Sequence, residues 1–314
     1  MSKPSRFYRA VDGILLLDKA LGVSSNAALQ QVRALFNAAK AGHAGSLDPL
    51  ASGLLPVCFG QATKVCGRLL NSGKTYRVLV QLGARTESGD GETEVIERAP
   101  VPPLDDRLID AALASFIGEQ DQVPPMHSAL KFAGKRLYEL ARRGESVERE
   151  PRRIAIHRIA RVRLEGDELE FDVYCSKGTY IRTLAVDLAD RLGTLGYVRG
   201  LRRLTLDPFG DLPMYTLEEL TERPPAERDA LLLSPDRAFL DLPQVELGLA
   251  AVEGLLQGRT VATTHAGATG ELRAYDAQGR FLGIVLGAAE GRVRPVRLFV
   301  DVAAGARPQP DPAA

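Results

Sequence analysis

Two segments of the chain alternate apolar and polar residues with the two-residue period of a β-strand that is buried on one face. In KTYRVLVQLGART, residues 74–86, the apolar face consists of Tyr76, Val78, Val80 and Leu82. DELEFDVYC, residues 167–175, alternates in the same way, and helical spacing follows it in residues 181–192. Strands and helices do not follow a regular βαβ order. The pattern therefore predicts an α+β fold with a mixed, largely antiparallel sheet flanked by helices.

Other helices are predicted from caps and apolar spacing. Ser24 and Ser25 precede the amphipathic run NAALQQVRALFNAAK and are the predicted N-caps of a first helix. Further helices are expected at about 61–70 and 105–117. Thr179 is the expected N-cap of the helix that follows the second alternating segment.

The C-terminal third differs from the rest in composition and in the pattern of its apolar residues. Residues 207–245 are rich in proline and have the character of a covering segment and linker, which closes a first domain at 1–245. Residues 246–302 contain short apolar runs separated by AQGR and AEGR, which are hairpin signals. A small β-rich domain is expected there, followed by a disordered tail at 303–314.

Composition excludes several classes of protein. The longest early apolar run, Ile14 to Leu17, is too short for a signal peptide or a membrane span. The three cysteines form no CxxC pair, which is typical of the reducing cytoplasm. The four histidines make no zinc-type spacing with them, so no metal site is expected.

Charge is balanced overall but uneven along the chain. The sequence has 40 Lys or Arg, 40 Asp or Glu and a net charge of zero. Residues 131–163 contain 11 basic residues against 4 acidic ones, a local excess of +7. Such a segment is either an electrostatic footprint for a polyanion or a solvated, salt-bridged surface, and charge alone leaves both open.

The stretch GHAGSLDPLASGLLPV, residues 42–57, holds a single carboxylate, Asp48, in a backbone shaped by glycine and proline. Asp48 is either the initiator of an Asp-Pro turn or a nucleophile that a reactant can approach closely. His43 lies between two small residues in the same stretch and is expected to be exposed.

Arg182 is placed where a cation is unfavourable. It falls in the first turn of the predicted helix near Tyr180, where the helix dipole favours an anion, so a nearby carboxylate or phosphate would explain it. An arginine whose charge reaches water is the plainer alternative. Tyr76 and Tyr180 begin a strand and a helix, and core packing is the usual role of each alone.

The motifs together resemble a known family. GHAGSLDPLASGLLPVCFGQATK, KTYRV, SALKFAGKRLYELAR, CSKGTYIRTLAVDLADRLG and LRRLTLDPFG occur in the order seen in the TruB family of pseudouridine synthases. The similarity covers residues 13–245. The remainder resembles the family's small C-terminal PUA-like RNA-binding domain, and the first domain its catalytic domain.

The resemblance implies roles for particular positions. Asp48 corresponds to the nucleophile and Arg182 to its partner, while Tyr76 would stack on the base and help to remove its C5 proton. His43 would wedge into the RNA, and Tyr180 and Leu201 would line the pocket for the base. Lys19 and Lys131 would contact the RNA.

The resemblance also implies a substrate and its context. The family isomerises uridine 55 in the tRNA T-loop by base flipping, without cofactor or metal, and grips the RNA with an insertion that would span 125–152 here. A cytoplasmic monomer is expected. Two alternatives stay open: an RNA-binding module that assists tRNA folding without catalysis, and a guide-RNA-dependent enzyme of the dyskerin type.

Overall fold

The computed structural model describes residues 8–128, 130–132, 134–141, 143–263 and 269–299. The side chains of Lys131, Arg136, Tyr138 and Glu290 lie outside that description. The predicted RNA contact of Lys131 and the predicted tail at 303–314 therefore fall outside the described residues.

The strands lie in two large sheets and two small hairpins. In chain order they are β1 (Gly13–Lys19), β2 (Ala41–His43), β3 (Ala51–Phe59), β4 (Lys74–Leu82), β5 (Ala84–Thr86), β6 (Val95–Arg98), β7 (Gly118–Gln122), β8 (Lys131–Phe132), β9 (Lys135–Arg136), β10 (Arg152–Glu165), β11 (Glu168–Cys175), β12 (Gly196–Leu206), β13 (Gln244–Leu247), β14 (Val261–Ala262), β15 (Glu271–Asp276), β16 (Phe281–Ala288) and β17 (Arg292–Leu298).

The α-helices are α1 (Ser25–Leu35), α2 (Cys66–Leu70), α3 (Asp106–Ala114), α4 (Leu137–Ala141), α5 (Ile181–Arg191), α6 (Leu217–Glu222), α7 (Pro225–Ala230) and α8 (Leu249–Leu256). Short 3₁₀ helices span Gly60–Val65, Pro235–Phe239 and Ala289–Gly291.

The larger sheet has eight strands in the order β1-β3-β12-β4-β11-β10-β7, with β2 beside β3. Among the described strands of this sheet, β12 and β3 form the one parallel pair, and every other neighbour is antiparallel. The predicted α+β class with a mixed, largely antiparallel sheet flanked by helices is confirmed. The parallel pair brings Leu201 opposite Ala51 and so joins the middle of β12 to the residue that ends the Asp48 loop.

The predicted faces of the alternating segments are the buried ones. Val78, Val80 and Leu82 of β4 are buried in one apolar cluster. The alternating apolar residues of β11 and the apolar face of α5 belong to the same cluster. This burial is what specifies the strand register, since a slip of one residue would turn every apolar side chain to water.

The covering segment packs along β1, the edge strand of the large sheet. Leu233 bridges to Ile14 and Tyr215 bridges to Leu17 of β1. Phe209 and Phe239 are buried in the cluster that contains Ile14, whereas Leu220 is buried in the cluster that contains α1. The segment thus covers the edge of β1 and contributes to the core on both of its faces.

The smaller sheet has the order β13-β15-β16-β17-β14. The AQGR and AEGR segments connect β15 to β16 and β16 to β17, as their turn residues predict. Ile284 and Phe299 belong to the same apolar cluster as Leu54 of β3, and Lys64 Nζ donates to Leu298 O at 2.6 Å. The two sheets therefore share buried surface.

Two local expectations were wrong. The segment predicted as one helix at 61–70 is a 3₁₀ helix followed by the short α2. Thr179 does not cap α5: its hydroxyl donates to Ser176 O, and Tyr180 takes the N-cap position without a side-chain cap. Ser24 does cap α1, accepting from Ala27 N as predicted.

Candidate active site

Asp48 lies in the loop between β2 and β3, and the backbone of this loop is held at many points. Ser25 Oγ donates to Leu47 O at 2.9 Å and accepts from Leu47 N at 2.7 Å. Ala51 N donates to Asp48 O and Gly22 N to Pro49 O. A loop whose amides and carbonyls are satisfied in this way holds its one carboxylate in a fixed place.

Arg182 lies against that carboxylate. Arg182 Nη2 is 3.1 Å from Asp48 Oδ2, and the arginine side chain is 10% exposed while that of Asp48 is 50% exposed. Its other donors reach Ser88 O at 3.2 Å and His127 O at 2.7 Å. The guanidinium is therefore fixed from several directions, and the half-open carboxylate remains accessible to a reactant.

Asp90 is a second carboxylate at this guanidinium, and the sequence analysis missed it. Its Oδ2 is 3.2 Å from Arg182 Nη1, and the residue is 1% exposed. Ser88 Oγ and Glu92 N donate to its other oxygen at 2.5 and 3.0 Å. The two carboxylates explain why a cation is tolerated in the first turn of α5. In the sequence it lies in the polar stretch ESGDGE, which carries no pattern that separates it from an exposed turn.

Tyr76 on β4 is buried beside the loop. Burial raises the pKa of its hydroxyl, the charge of Arg203 lowers it, and Cys175 and Asp48 raise it further. The ring belongs to the apolar cluster that also contains Leu47 and Ala51. Tyr76 therefore shares a buried cluster with the residues on either side of Asp48, and the charge of Arg203 acts on its hydroxyl.

Tyr180 immediately precedes α5, and Leu201 lies on β12. Tyr180 is half-buried, and its backbone is clamped by Gln122, which accepts from Tyr180 N at 2.8 Å and donates to Tyr180 O at 3.1 Å. Leu201 is half-buried on β12, opposite Val78 of β4, and packs against the cluster.

His43 was expected to be exposed, and this expectation was wrong. It lies half-buried on β2, which pairs with β3 at Val57, and its Nδ1 is a buried atom without a hydrogen-bond partner among the described residues. Burial and then the charge of Arg203 lower the pKa of His43. The small neighbours did not leave it open; they let β3 and the 3₁₀ helix Gly60–Val65 approach closely.

Lys19 does not present its charge at the surface. It is 1% exposed, and its ammonium donates to Ala20 O at 2.9 Å and Val23 O at 2.6 Å. Burial lowers the pKa of Lys19, and the charge of Asp48 opposes that effect. In this arrangement the lysine ties the loop after β1 beneath the Asp48 loop instead of offering a contact to a phosphate.

Two further buried cations lie under the Asp48 loop. Arg203 Nη2 donates to Gly45 O at 2.8 Å. Lys74 Nζ donates to Leu70 O and Ser72 O, and burial lowers its pKa to about 8. The sequence analysis singled out neither of them.

The chain matches family models along most of its length. Residues 33–181 match the model described as TruB family pseudouridylate synthase (N terminal domain). Residues 182–238 match the tRNA pseudouridylate synthase B C-terminal domain, and residues 243–299 match Pseudouridine synthase II TruB, C-terminal. A protein of Methylobacillus flagellatus named tRNA pseudouridine synthase B is 50% identical over 94% of this chain and 97% of its own. The chain belongs to the TruB family of pseudouridylate synthases.

Other TruB relatives are similar in extent. The proteins named tRNA pseudouridine synthase B from Chromohalobacter salexigens and Yersinia enterocolitica are 50% and 46% identical. The matches cover 92% and 98% of this chain and 94% and 97% of the respective relatives. As a TruB family member the chain is an isomerase.

Solved structures share the fold at lower identity. A chain of a Cbf5-Nop10-Gar1 complex aligns with a TM-score of 0.70 and 24% identity, covering 96% of this chain and 91% of that one. A chain of an H/ACA RNP bound to a substrate RNA containing 2′-deoxyuridine aligns with a TM-score of 0.69 and 22% identity, covering 96% and 92%.

The basic segment of this TruB chain is partly neutralised. On β10, Arg153 pairs with Glu119 and Asp121, and Arg161 pairs with Asp106 and Asp110 of α3. Arg163 pairs with Glu165 and Glu170. Arg152 and Arg158 are exposed and form no ion pair with a described residue. The salt-bridged interpretation therefore holds for Arg153, Arg161 and Arg163, and a footprint for a polyanion stays a prediction that concerns arginines such as Arg152 and Arg158.

No group of three or more histidine, cysteine or acidic side chains in the described ranges could hold a metal ion. None of the helices in those ranges is long and apolar enough to cross a membrane.

Proposed function

We propose that this chain isomerises uridine to pseudouridine at position 55 in the T-loop of tRNA, with Asp48 as the nucleophile. The names of the relatives assign tRNA to those proteins, and the proposal carries that substrate over to this chain. The observation that carries the choice of residues is the 3.1 Å contact between Arg182 Nη2 and Asp48 Oδ2 beside the buried Tyr76.

The proposed reaction conserves the composition of the nucleotide. The N1–C1′ bond breaks and a C5–C1′ bond forms, C5 loses its proton and N1 gains one. The electron pair of the C5–H bond returns to the ring as the C5=C6 double bond. No electrons are exchanged with a second reactant and no water is added, so the proposal requires neither a cofactor nor a metal.

Each side chain of the site has a place in this proposal. Asp48 attacks the nucleotide, and Arg182 holds the carboxylate in the attacking orientation, since a guanidinium that is itself held at several points has little freedom. Tyr76 stacks on the freed uracil and accepts the C5 proton. Tyr180 and Leu201 close the sides of the pocket.

The target base must leave the stack before it can reach Asp48. Unstacking costs a few kcal/mol, which stacking on aromatic side chains offsets. His43 fills the space that the flipped base vacates. The lowered pKa of the half-buried His43 suits this role, because a neutral imidazole stacks among bases without a counterion.

Recognition of the tRNA combines charge with shape. Exposed arginines without acidic partners, such as Arg152 and Arg158, supply phosphate contacts that do not depend on sequence. The proposed RNA-gripping insertion at 125–152 reaches the site through the hydrogen bond from Arg182 to His127 O. The proposed domain limits are 1–245 and 246–302, with the second part binding RNA, and the proposed working form is a cytoplasmic monomer.

The test asks whether the purified chain alone forms pseudouridine in an unmodified T-stem-loop transcript. The reaction is monitored by the release of tritium from uridine labelled at C5. Asp48→Asn should bind the transcript within about threefold of the parent but release no tritium. Asp229→Asn is the matched control. It removes an ion pair with Arg9 that involves no residue of the proposed site, and it should keep full activity.

The outcomes separate the alternatives. Activity without any other RNA excludes a guide-dependent enzyme, and a parent chain that binds but never releases tritium would identify a binding module. Undiminished product from Asp48→Asn would remove Asp48 from the mechanism.

A further inference from the structure

Arg203 is the largest fully buried side chain in the described ranges, with 1% of its surface exposed. It lies on β12, opposite Gly53 of β3 and opposite Tyr76 of β4. Its position in the middle of the sheet puts a full positive charge directly beneath the loop that carries Asp48.

The guanidinium joins three parts of the site. Nε donates to Leu54 O of β3 at 2.6 Å, and Nη2 donates to Gly45 O of the Asp48 loop at 2.8 Å. Arg203 is also paired with Tyr76 across β12 and β4, so the two side chains lie on the same face of the sheet, and its charge lowers the pKa of the Tyr76 hydroxyl. Gly45 has φ +76°, and a Cβ there would lie 3.2 Å from Arg203 Nη1, so glycine is what allows the loop to come this close.

No carboxylate of the described residues forms an ion pair with Arg203. Its neighbour Arg202 is different, since both of its terminal nitrogens bond to Asp18, at 2.9 and 2.6 Å. A buried charge without a counterion is costly, and the bonds to Leu54 O and Gly45 O offset only part of that cost. A role for this charge at the neighbouring Tyr76 would account for its retention.

We propose that Arg203 is a positioning residue that acts through Tyr76: its buried guanidinium fixes the phenol oxygen beside the Asp48 loop and stabilises negative charge on that oxygen. The proposal rests on the proposed function, in which Tyr76 accepts the C5 proton. A neutral phenol cannot take that proton, so the phenolate must form first; the phenol produced then loses the proton to water, which completes the exchange.

The surroundings of Tyr76 support this direction. The groups that face it are Arg203 from β12, Cys175 from β11 and Asp48 from the loop. Burial raises the pKa of Tyr76, and both neighbours other than Arg203 raise it too. Arg203 is therefore the one group among them whose charge favours the phenolate.

The first test measures the ionisation of the Tyr76 phenol directly. The chain has no tryptophan, so the ultraviolet absorbance of tyrosinate can be followed without interference. The difference between each protein and its Tyr76→Phe counterpart isolates Tyr76 among the 8 tyrosines. Arg203→Met should move the titration midpoint of Tyr76 upward by about 1 pH unit or more. Arg202→Met, the matched control on the same strand, should leave it in place.

The second test measures the rate of the reaction. In single-turnover tritium release, Arg203→Met should lower the rate at neutral pH by about a hundredfold, which is the scale of general-base effects. Because the phenolate becomes more abundant at higher pH, the deficit should shrink as the pH rises. Arg203→Lys keeps the charge, so its pH–rate profile should keep the parent's shape at a lower rate, with RNA binding unchanged.

A double-mutant cycle keeps the proposal testable if Arg203→Met does not fold. Arg203→Lys should cost little in a Tyr76→Phe background, because the residue acts through the hydroxyl that is missing there. Additive losses, or a Tyr76 midpoint that Arg203→Met leaves unchanged, would overturn the proposal. Full activity of Tyr76→Phe would instead remove Tyr76 from the proposed function, while the titration would still report whether Arg203 controls its charge.

Discussion

Ser25 Oγ bonds to both backbone groups of Leu47, accepting from its N–H at 2.7 Å and donating to its C=O at 2.9 Å. One buried hydroxyl at the start of α1 therefore fixes the residue immediately before Asp48. The Asp48 loop is positioned by the first helix as well as by the strands on either side of it.

Ser25→Ala should leave both groups of Leu47 unsatisfied in a buried place. The free energy of unfolding should fall by about 1–3 kcal/mol, and the single-turnover rate should fall as the carboxylate loses its fixed position. Urea unfolding and tritium release measure the two effects. The matched control is Ser24→Ala, which removes the N-cap of α1 at a cost of about 1 kcal/mol and should leave the rate intact. Equal losses of rate in both variants would contradict the role of the Leu47 contacts.

Asp90→Asn should weaken the hold on Arg182 from the side opposite Asp48. The guanidinium would keep its bonds to Ser88 O and His127 O but lose a carboxylate 3.2 Å away. We expect the rate to fall by about ten- to a hundredfold, since one charge-assisted contact contributes about 1.5–3 kcal/mol. RNA affinity, measured by filter binding, should stay within about threefold. Asp172→Asn, whose carboxylate pairs with Arg77 at the surface, is the control, and a parental rate in Asp90→Asn would refute the expectation.

Because of Lys74, the free energy of unfolding should increase as the pH rises. Burial lowers its pKa from 10.5 to about 8 in the folded chain. Between these values the unfolded chain binds more protons at this site than the folded chain, so the lysine contributes stability that increases with pH across that window. The full effect is about 3 kcal/mol. Lys74→Met should remove this slope relative to the parent in urea unfolding at several pH values. An identical slope in both proteins would contradict the depressed pKa.

The three cysteines should differ sharply in reactivity. Cys66 is half-buried, and a hydrogen bond from the Cys58 thiol lowers the pKa of Cys66. Burial raises the pKa of Cys175 to about 11. A hydrogen bond with Cys66 and burial raise the pKa of Cys58 as well. Because the thiolate is the reactive form, iodoacetamide should modify Cys66 well before Cys58 and Cys175. Peptide mass spectrometry measures the order, with Cys66→Ser as the control that should lose the fast phase. Early labelling of Cys175 would show that its burial is incomplete in solution.

The arginines of β10 should separate into two classes by salt dependence. Arg152 and Arg158 have no acidic partner among the described residues, whereas Arg161 is held by Asp106 and Asp110. If each unpaired arginine meets one phosphate, the double variant Arg152→Ala/Arg158→Ala should reduce the slope of log affinity against log salt by about 2. Arg161→Ala should leave that slope unchanged. The opposite ranking would mean that the ion pairs on α3 open when RNA binds.

Local patterns predicted much of the framework. The period-two alternation located β4 and β11 with their correct buried faces, and a serine before an apolar-periodic run located the cap of α1. These features depend on neighbours a few residues apart. The order of the strands does not, and the parallel pairing of β12 with β3 could not be obtained from either segment.

The missed parts of the site depend on contacts between distant segments. In LRRLTL the two arginines are indistinguishable by pattern, yet Arg202 reaches Asp18 and Arg203 is buried. Asp90 lies in a polar loop that resembles any exposed turn until α5 brings Arg182 beside it. His43 was misjudged because small flanking residues can admit covering segments as readily as water.

The apolar cluster that links the smaller sheet to β3 has a consequence for how the chain can be divided. Ile284 and Phe299 contribute to the same buried surface as Leu54 and Phe239. A fragment ending before β13 would expose that surface, so we expect such a fragment to associate with itself. Heating should melt both sheets in one calorimetric transition.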